Sequence, residues 1–124
     1  MNRTEQLLAL RPEITTDSER ISLPKEAFQN NVLRPILKFQ NEAVVSFFKA
    51  QIKGATLPDF KAELHDFVQQ RLQKDMVTRN TLVGMVIGFL SEEELAVFLA
   101  DKNEVSKRIV EMLSQRIANQ LSQP

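Results

Sequence analysis

The chain contains no cysteine, no tryptophan and no tyrosine, and a single histidine. Without cysteine there are no disulfides, thiol nucleophiles or thiolate metal ligands. His65 followed by Asp66 matches a dipeptide of helical metal-dependent phosphohydrolases, but such sites need further histidines, and none exist here. Glu63-Leu-His65 also misses the Glu-x-x-His spacing of di-iron bundles. His65 is expected to be a partly exposed helix residue at the edge of an apolar arc. There is no Gly-rich phosphate loop, no His–Glu metalloprotease motif and no serine beside a local base. Glu92-Glu-Glu94 reads as a helix N-terminus favoured by the dipole, not as a metal cluster. The expectation is a protein that is not an enzyme and carries no cofactor or metal.

A dominant charge is missing too. Sixteen basic and sixteen acidic residues cancel, which removes the electrostatic footprint expected of a nucleic-acid binder. Locally the balance shifts: residues 25–53 hold five basic and two acidic groups, and 92–104 hold five acidic and one basic. That asymmetry suits the docking of one helix near another. Long apolar runs are also absent. The longest, LVGMVIGFL, is nine residues, far short of the ~18 needed to span a membrane. The four-residue run before Arg11 is too short for a signal-peptide core. A cytoplasmic protein without a membrane partner is the expectation.

Glycine and proline are few, three and five, so they mark the breaks. The length suits one domain, with residues 1–23 as an N-terminal arm and 24–124 as a helical bundle. Residues 2–10 can form a short helix, capped by Asn2 with Glu5 at the third position and ended by Pro12. Residues 11–23 read as extended. From Pro24 to about Lys53 the pattern is helical, with a kink or restart at Pro35, and Gly54 stops it. Thr56-Leu-Pro-Asp59 has the composition of a second helix start, leading to about Lys74. A third helix spans about 76–90. Ser91-Glu-Glu-Glu94 is a capping box opening a fourth, and a fifth runs from Asp101 or Asn103 to about Ser122. No stretch alternates at period two long enough for a strand. The predicted class is all-α, a five-helix bundle.

Placing side chains at 100° per residue gives the fifth helix a face of Val105, Ile109, Val110, Met112, Leu113, Ile117 and Leu121. The second shows Phe60, Leu64, Phe67, Val68 and Leu72. The third is apolar nearly all round, which predicts a largely buried central helix. Its small or polar strip is Asn80, Thr81, Gly84 and Gly88, and the two glycines are expected at a close helix crossing, with a ligand-admitting groove as the alternative.

Several polar residues fall inside these apolar arcs: Gln40, Arg71, Arg79, and Arg116 with Gln120 beside it. A buried guanidinium needs a carboxylate or several acceptors. Structural ion pairs with Glu42, Asp75 or Glu13 are the first expectation, and an anion site is the second. Arg71 and Arg116 sit near helix C-termini, where a cation is favoured, whereas Arg79 sits in a first turn. Phe-Gln-Asn occurs at 28–30 and again at 39–41. Asn30, Gln40 and Asn41 are expected to satisfy backbone groups freed by Pro35.

The string FQNxxLRPILKxQN at 28–41, with RNxLxGMxIG at 79–88, resembles a small group of uncharacterised all-helical bacterial proteins, over about residues 10–121. Some of those carry a "glyoxalase" label. The resemblance implies a helical fold and lends no functional residues. Glyoxalase chemistry of the familiar kind uses a β-rich fold with His and Glu metal ligands, which this chain does not offer. The functional expectation is a non-catalytic interaction or structural module with a protein partner or a second copy of itself, a homodimer being the form considered. The alternative is a small-molecule anion binder using Arg71, Arg79 and Arg116 with Gln40 and Asn80, and an enzyme is a distant third.

Overall fold

A computed structural model describes residues 2–12 and 24–122. All regular elements among them are helical: α1 (Arg3–Leu10), α2 (Pro24–Phe28), a π-helical turn (Gln29–Leu33), α3 (Arg34–Phe39), α4 (Asn41–Gln51), α5 (Lys61–Lys74), α6 (Met76–Ile87), α7 (Glu92–Ala100) and α8 (Lys102–Leu121). The all-α expectation holds, and the five-helix division does not. The segment read as helical from Pro24 to about Lys53, with a kink or restart at Pro35, is broken twice.

The first break answers to Pro35. Proline has no N–H, and its ring clashes with the carbonyl four residues back in an α-helix. Here the turn before it widens, so that the Arg34 N–H donates to the Gln29 carbonyl, five residues back. A π turn is a recognised way to absorb such a misfit. The second break is at Gln40, whose φ of −89° and ψ of 4° bend α3 into α4. Gly54 then takes φ +90°, a left-handed conformation suited to the end of a helix, as its position predicts.

The local caps agree with the sequence. The Asn2 side chain accepts the Glu5 N–H at 2.8 Å. Ser91 and Glu94 form both bonds of a capping box, Ser91 N–H to Glu94 Oε1 at 2.8 Å and Glu94 N–H to Ser91 Oγ at 3.3 Å. One start is different. The helix expected from Thr56 begins at Lys61, with Phe60 in the cap position and no side-chain cap bond. Phe60, expected in the core, is 71% exposed; the buried stripe of α5 starts one turn later, at Leu64, and continues through Val68 and Leu72.

The most extensive helix pair is α5 against α8. The core gathers Leu33, Ile36 and Leu37 near the π turn, Val44 and Phe48 from α4, Val68 and Leu72 from α5, Leu82 and Val86 from α6, Phe98 from α7, and Ile109, Leu113 and Ile117 from α8. Spacings of three and four on each helix put these side chains on one stripe. The expected apolar face of α8 supplies its share.

The centrally buried third helix is not what the structure shows. Met76 is 59% and Val77 74% exposed, and Asn80, Thr81, Gly84 and Gly88 lie outside as well. Only the Thr78, Leu82, Val83 and Val86 side of α6 is buried. An apolar circumference says that burial is allowed; it does not supply neighbours for every side. The close crossing expected at Gly84 and Gly88 is corrected for the same reason. A Cβ built on Gly84 meets nothing within 4 Å, and one on Gly88 meets only the Gly84 carbonyl, at 3.1 Å. Gly84→Ala is therefore expected to stabilise the fold by about 0.5–1 kcal/mol through helix propensity, read as a higher urea midpoint with unchanged slope. A tight crossing would reverse the sign.

Residues 13–23 of the expected arm lie outside the described residues. The part before them is docked on the bundle. Leu7 is buried, Arg3 Nη2 donates to the Gly88 carbonyl at 3.1 Å, and Arg11 Nη2 donates to the Phe89 carbonyl at 2.9 Å. Arg11 also grips Glu94 with both terminal nitrogens, Nη1 to Oε2 at 2.7 Å and Nη2 to Oε1. Thus α1 is fastened in cis to the α6–α7 junction.

Candidate functional site

The expected polar set does not converge. Arg71, in the last turn of α5, donates to the Gln51 carbonyl at 2.9 Å and lies 3.4 Å from Asp75 Oδ2. That is one of the expected ion pairs, and it ties α5 to the end of α4. Asp75 also caps α6, accepting the Thr78 N–H at 3.1 Å and its hydroxyl at 2.7 Å. The Thr78 side-chain and backbone bonds, aided by Arg71, hold the Asp75 carboxyl below the ordinary carboxylate range. Gln40 donates from Nε2 to the Met85 carbonyl at 3.0 Å. Asn41 Oδ1 accepts from Arg116 Nη1 at 3.2 Å. The amides of the second Phe-Gln-Asn therefore bond to α6 and α8, not to backbone groups freed by Pro35.

Arg79 and Asn80 share a cleft of about 490 Å³ between α5, α6 and α8. Its walls include Lys107 and Glu111. The Arg79 side chain has no ion pair or hydrogen bond among the described residues. Glu42, proposed as a partner for an inward arginine, is exposed, and Glu13 lies outside the described residues. His65 is half-buried and lines a different surface hollow with Lys61 and Asp66. No group of three or more His, Asp or Glu side chains capable of holding a metal occurs among the described residues, and none of the described helices is long and apolar enough to cross a membrane.

Arg116 belongs to another place. It lines a cleft of about 310 Å³ with Gln29, Arg34, Leu37, Met112, Gln115, Asn119 and Gln120. The π turn and the start of α3 form one wall, and the last three turns of α8 form the other. Burial, and then the positive charge of Arg34, depress the proton affinity of Arg116. Like charges placed together are unfavourable unless something between them compensates. Among the described residues no carboxylate lines this cleft and neither arginine has an ion pair. Arg116 retains its proton, as guanidinium does in proteins, so the cleft is positive.

The fold builds this wall from the Pro35 irregularity. The π turn displaces Gln29 and Arg34 relative to an α-helical register. Arg108 Nη1 then fixes Gln29 by donating to its Oε1 at 2.9 Å. Sequence reading found Arg116 and Gln120 but missed Arg34, Gln29, Gln115 and Asn119. The concentration of amides in Gln115–Gln120 was a signal; the approach of Arg34 was not, because it depends on how α3 packs across α8. Arg71, Arg79, Gln40 and Asn80 are not part of this cleft.

Comparisons with protein-family models, with curated proteins and with solved structures found no match to the chain.

Proposed function

We propose that the protein is a non-catalytic binder of a small anionic molecule, held in the cleft between the π turn, α3 and α8. The observation that carries this reading is two guanidinium groups, Arg34 and Arg116, on the facing walls of one cleft, with no carboxylate among its described lining residues. This keeps the anion-binding alternative and changes its residues. Arg116 remains, Arg34 joins it, and Arg71, Arg79, Gln40 and Asn80 drop out. Arg116 is the anchor, since its partial burial weakens competition from water and makes a charge-assisted hydrogen bond stronger.

A ligand that binds only the folded state raises the unfolding free energy by about 2.7 kcal/mol at a hundred times its Kd. In a thermal-shift series with phosphates and short carboxylates, at least one anion is expected to raise Tm by several degrees. Arg116→Gln is expected to remove that rise, and Arg79→Gln is expected to leave it. If no anion stabilises the wild type, or if Arg79→Gln abolishes the effect and Arg116→Gln does not, the assignment fails.

The interaction-module reading has separate support. On α7, Val97 is 49% and Leu99 61% exposed, beside the acidic Glu92 and Glu93 at its start. Val97 joins Phe28, Leu33 and Val105 in one apolar hollow, and a contiguous apolar patch suits a contact with another protein surface. Light scattering across a concentration series tests self-association, and a monomer at every concentration removes the homodimer form of this reading.

A further inference from the structure

We infer that the ligand of the Arg34–Arg116 cleft is a dianion, a phosphomonoester or a short dicarboxylate, and that the second charge is read by Arg34. This rests on the anion-binding reading above and goes beyond it by naming the ligand class. The first ground is charge. The described lining carries two guanidinium groups and no carboxylate, so a monoanion can pair with one of them and a dianion with both. Each further opposite charge brought within a few ångströms of a guanidinium adds Coulombic attraction.

The second ground is the hydrogen-bond inventory. A guanidinium has five N–H donors and no acceptor. Arg116 spends one bond on Asn41 Oδ1, and Arg34 spends none from its side chain among the described residues. Gln29 has its carbonyl oxygen taken by Arg108, which leaves its NH2 group, a donor. The surplus is therefore strongly on the donor side and calls for a ligand rich in oxygen acceptors. Phosphate and carboxylate oxygens fit it, and amines do not. The third ground is size. About 310 Å³ is at the small end of ligand pockets, enough for a compact metabolite and too small for a nucleotide-sized one. Leu37 and Met112 give a short apolar floor, matched to a few carbon atoms between the charged groups.

The other clefts carry less. The Arg79 cleft has Glu111 in its wall, which opposes an anion. The hollow of Phe28, Leu33, Val97 and Val105 is apolar, and nothing in the structure identifies an occupant.

The test uses probes matched in chemistry and differing in charge: succinate against monomethyl succinate, and ethyl phosphate against diethyl phosphate. Titration calorimetry at pH 8 and low salt reads the affinities. In at least one pair the dianion is expected to bind tenfold or more tightly, about the effect of one extra ion pair near a protein surface. The pair that shows the effect tells carboxylate from phosphate. Arg34→Gln, at an exposed position, is expected to bring the ratio close to one while the monoanion keeps its affinity. Arg116→Gln is expected to weaken both members. Equal affinities within both pairs, with binding lost in Arg116→Gln, overturn the dianion inference and leave the anion-binding reading standing. Absence of binding by all four probes overturns both.

Discussion

Phe48→Ala is expected to cost about 3–5 kcal/mol of unfolding free energy, the range for emptying a buried phenylalanine site. Phe48 has no exposed surface and is the largest of the fully buried side chains. It lies on the stripe of Val44 and Phe48 on α4, continued by Ile52 at its C-cap, at spacings of four, and packs within the cluster that joins α3, α4, α5, α6 and α8. The loss includes the transfer term for the ring and the cavity that the surrounding helices do not collapse to fill. Against a total of about 5–15 kcal/mol for a domain, it brings the protein close to unfolding at ordinary temperature. Phe60→Ala removes the same group where it is 71% exposed, and its expected effect is within about 0.5 kcal/mol. Urea denaturation of the two variants checks the pair. A Phe48→Ala cost below about 1 kcal/mol, or equal costs at both sites, is incompatible with this core.

Arg11→Gln is expected to produce the second large effect, about 2–4 kcal/mol at pH 7, toward the range for breaking a buried ion pair by removing one partner. The Arg11 and Glu94 side chains retain only 9% and 16% of their surface. The same carboxylate caps α7 through the Ser91 N–H, so its loss reaches both the attachment of α1 and the start of α7. Burial pushes the Glu94 carboxyl up, but the Arg11 and Ser91 hydrogen bonds together with the Arg11 charge outweigh it, and the net position is below the ordinary 4.5. A carboxyl whose folded-state pKa is depressed binds fewer protons when folded than when unfolded. Its contribution is complete above about the ordinary value and disappears as pH falls through the depressed one. Wild type should therefore lose stability on acidification below about pH 4.5. In Arg11→Gln the guanidinium no longer holds the carboxyl down, and that acid loss is reduced. Denaturant curves at pH 7, 5 and 3.5 give the comparison: the difference between the two proteins should shrink at the lowest pH. A constant difference across the series would sink this account of the pair.

These contacts show which parts of the protein could be read from the sequence. Asn2 with Glu5 and Ser91 with Glu94 were legible because a cap is made within four residues, by side chains whose reach is fixed by helix geometry. The Ile109, Leu113 and Ile117 face was legible because it repeats over several turns. Phe60, Met76 and Val77 were misplaced for a single reason. They lie at helix starts, and whether a side chain there is covered depends on which other element passes over it. Arg11 was passed over because its partner, Glu94, is distant in sequence and looked complete as a capping residue. The same limit split the expected arginine set: a helical wheel gives the direction of a side chain on its own helix, and Arg71, Arg79 and Arg116 point into three different surroundings.

The sequence by itself determined the helical class, the main breaks and caps, and most of the apolar stripes, because each depends on local geometry and on a periodicity carried within one segment. It also determined that Pro35 would disturb its helix. Tertiary structure alone decided what that disturbance does. The π turn sets Gln29 and Arg34 against the amide-rich end of α8, and so places two positive charges across one small cleft. That meeting joins residues some eighty positions apart, and electrostatic proximity of this kind is set by helix packing, which no local pattern records.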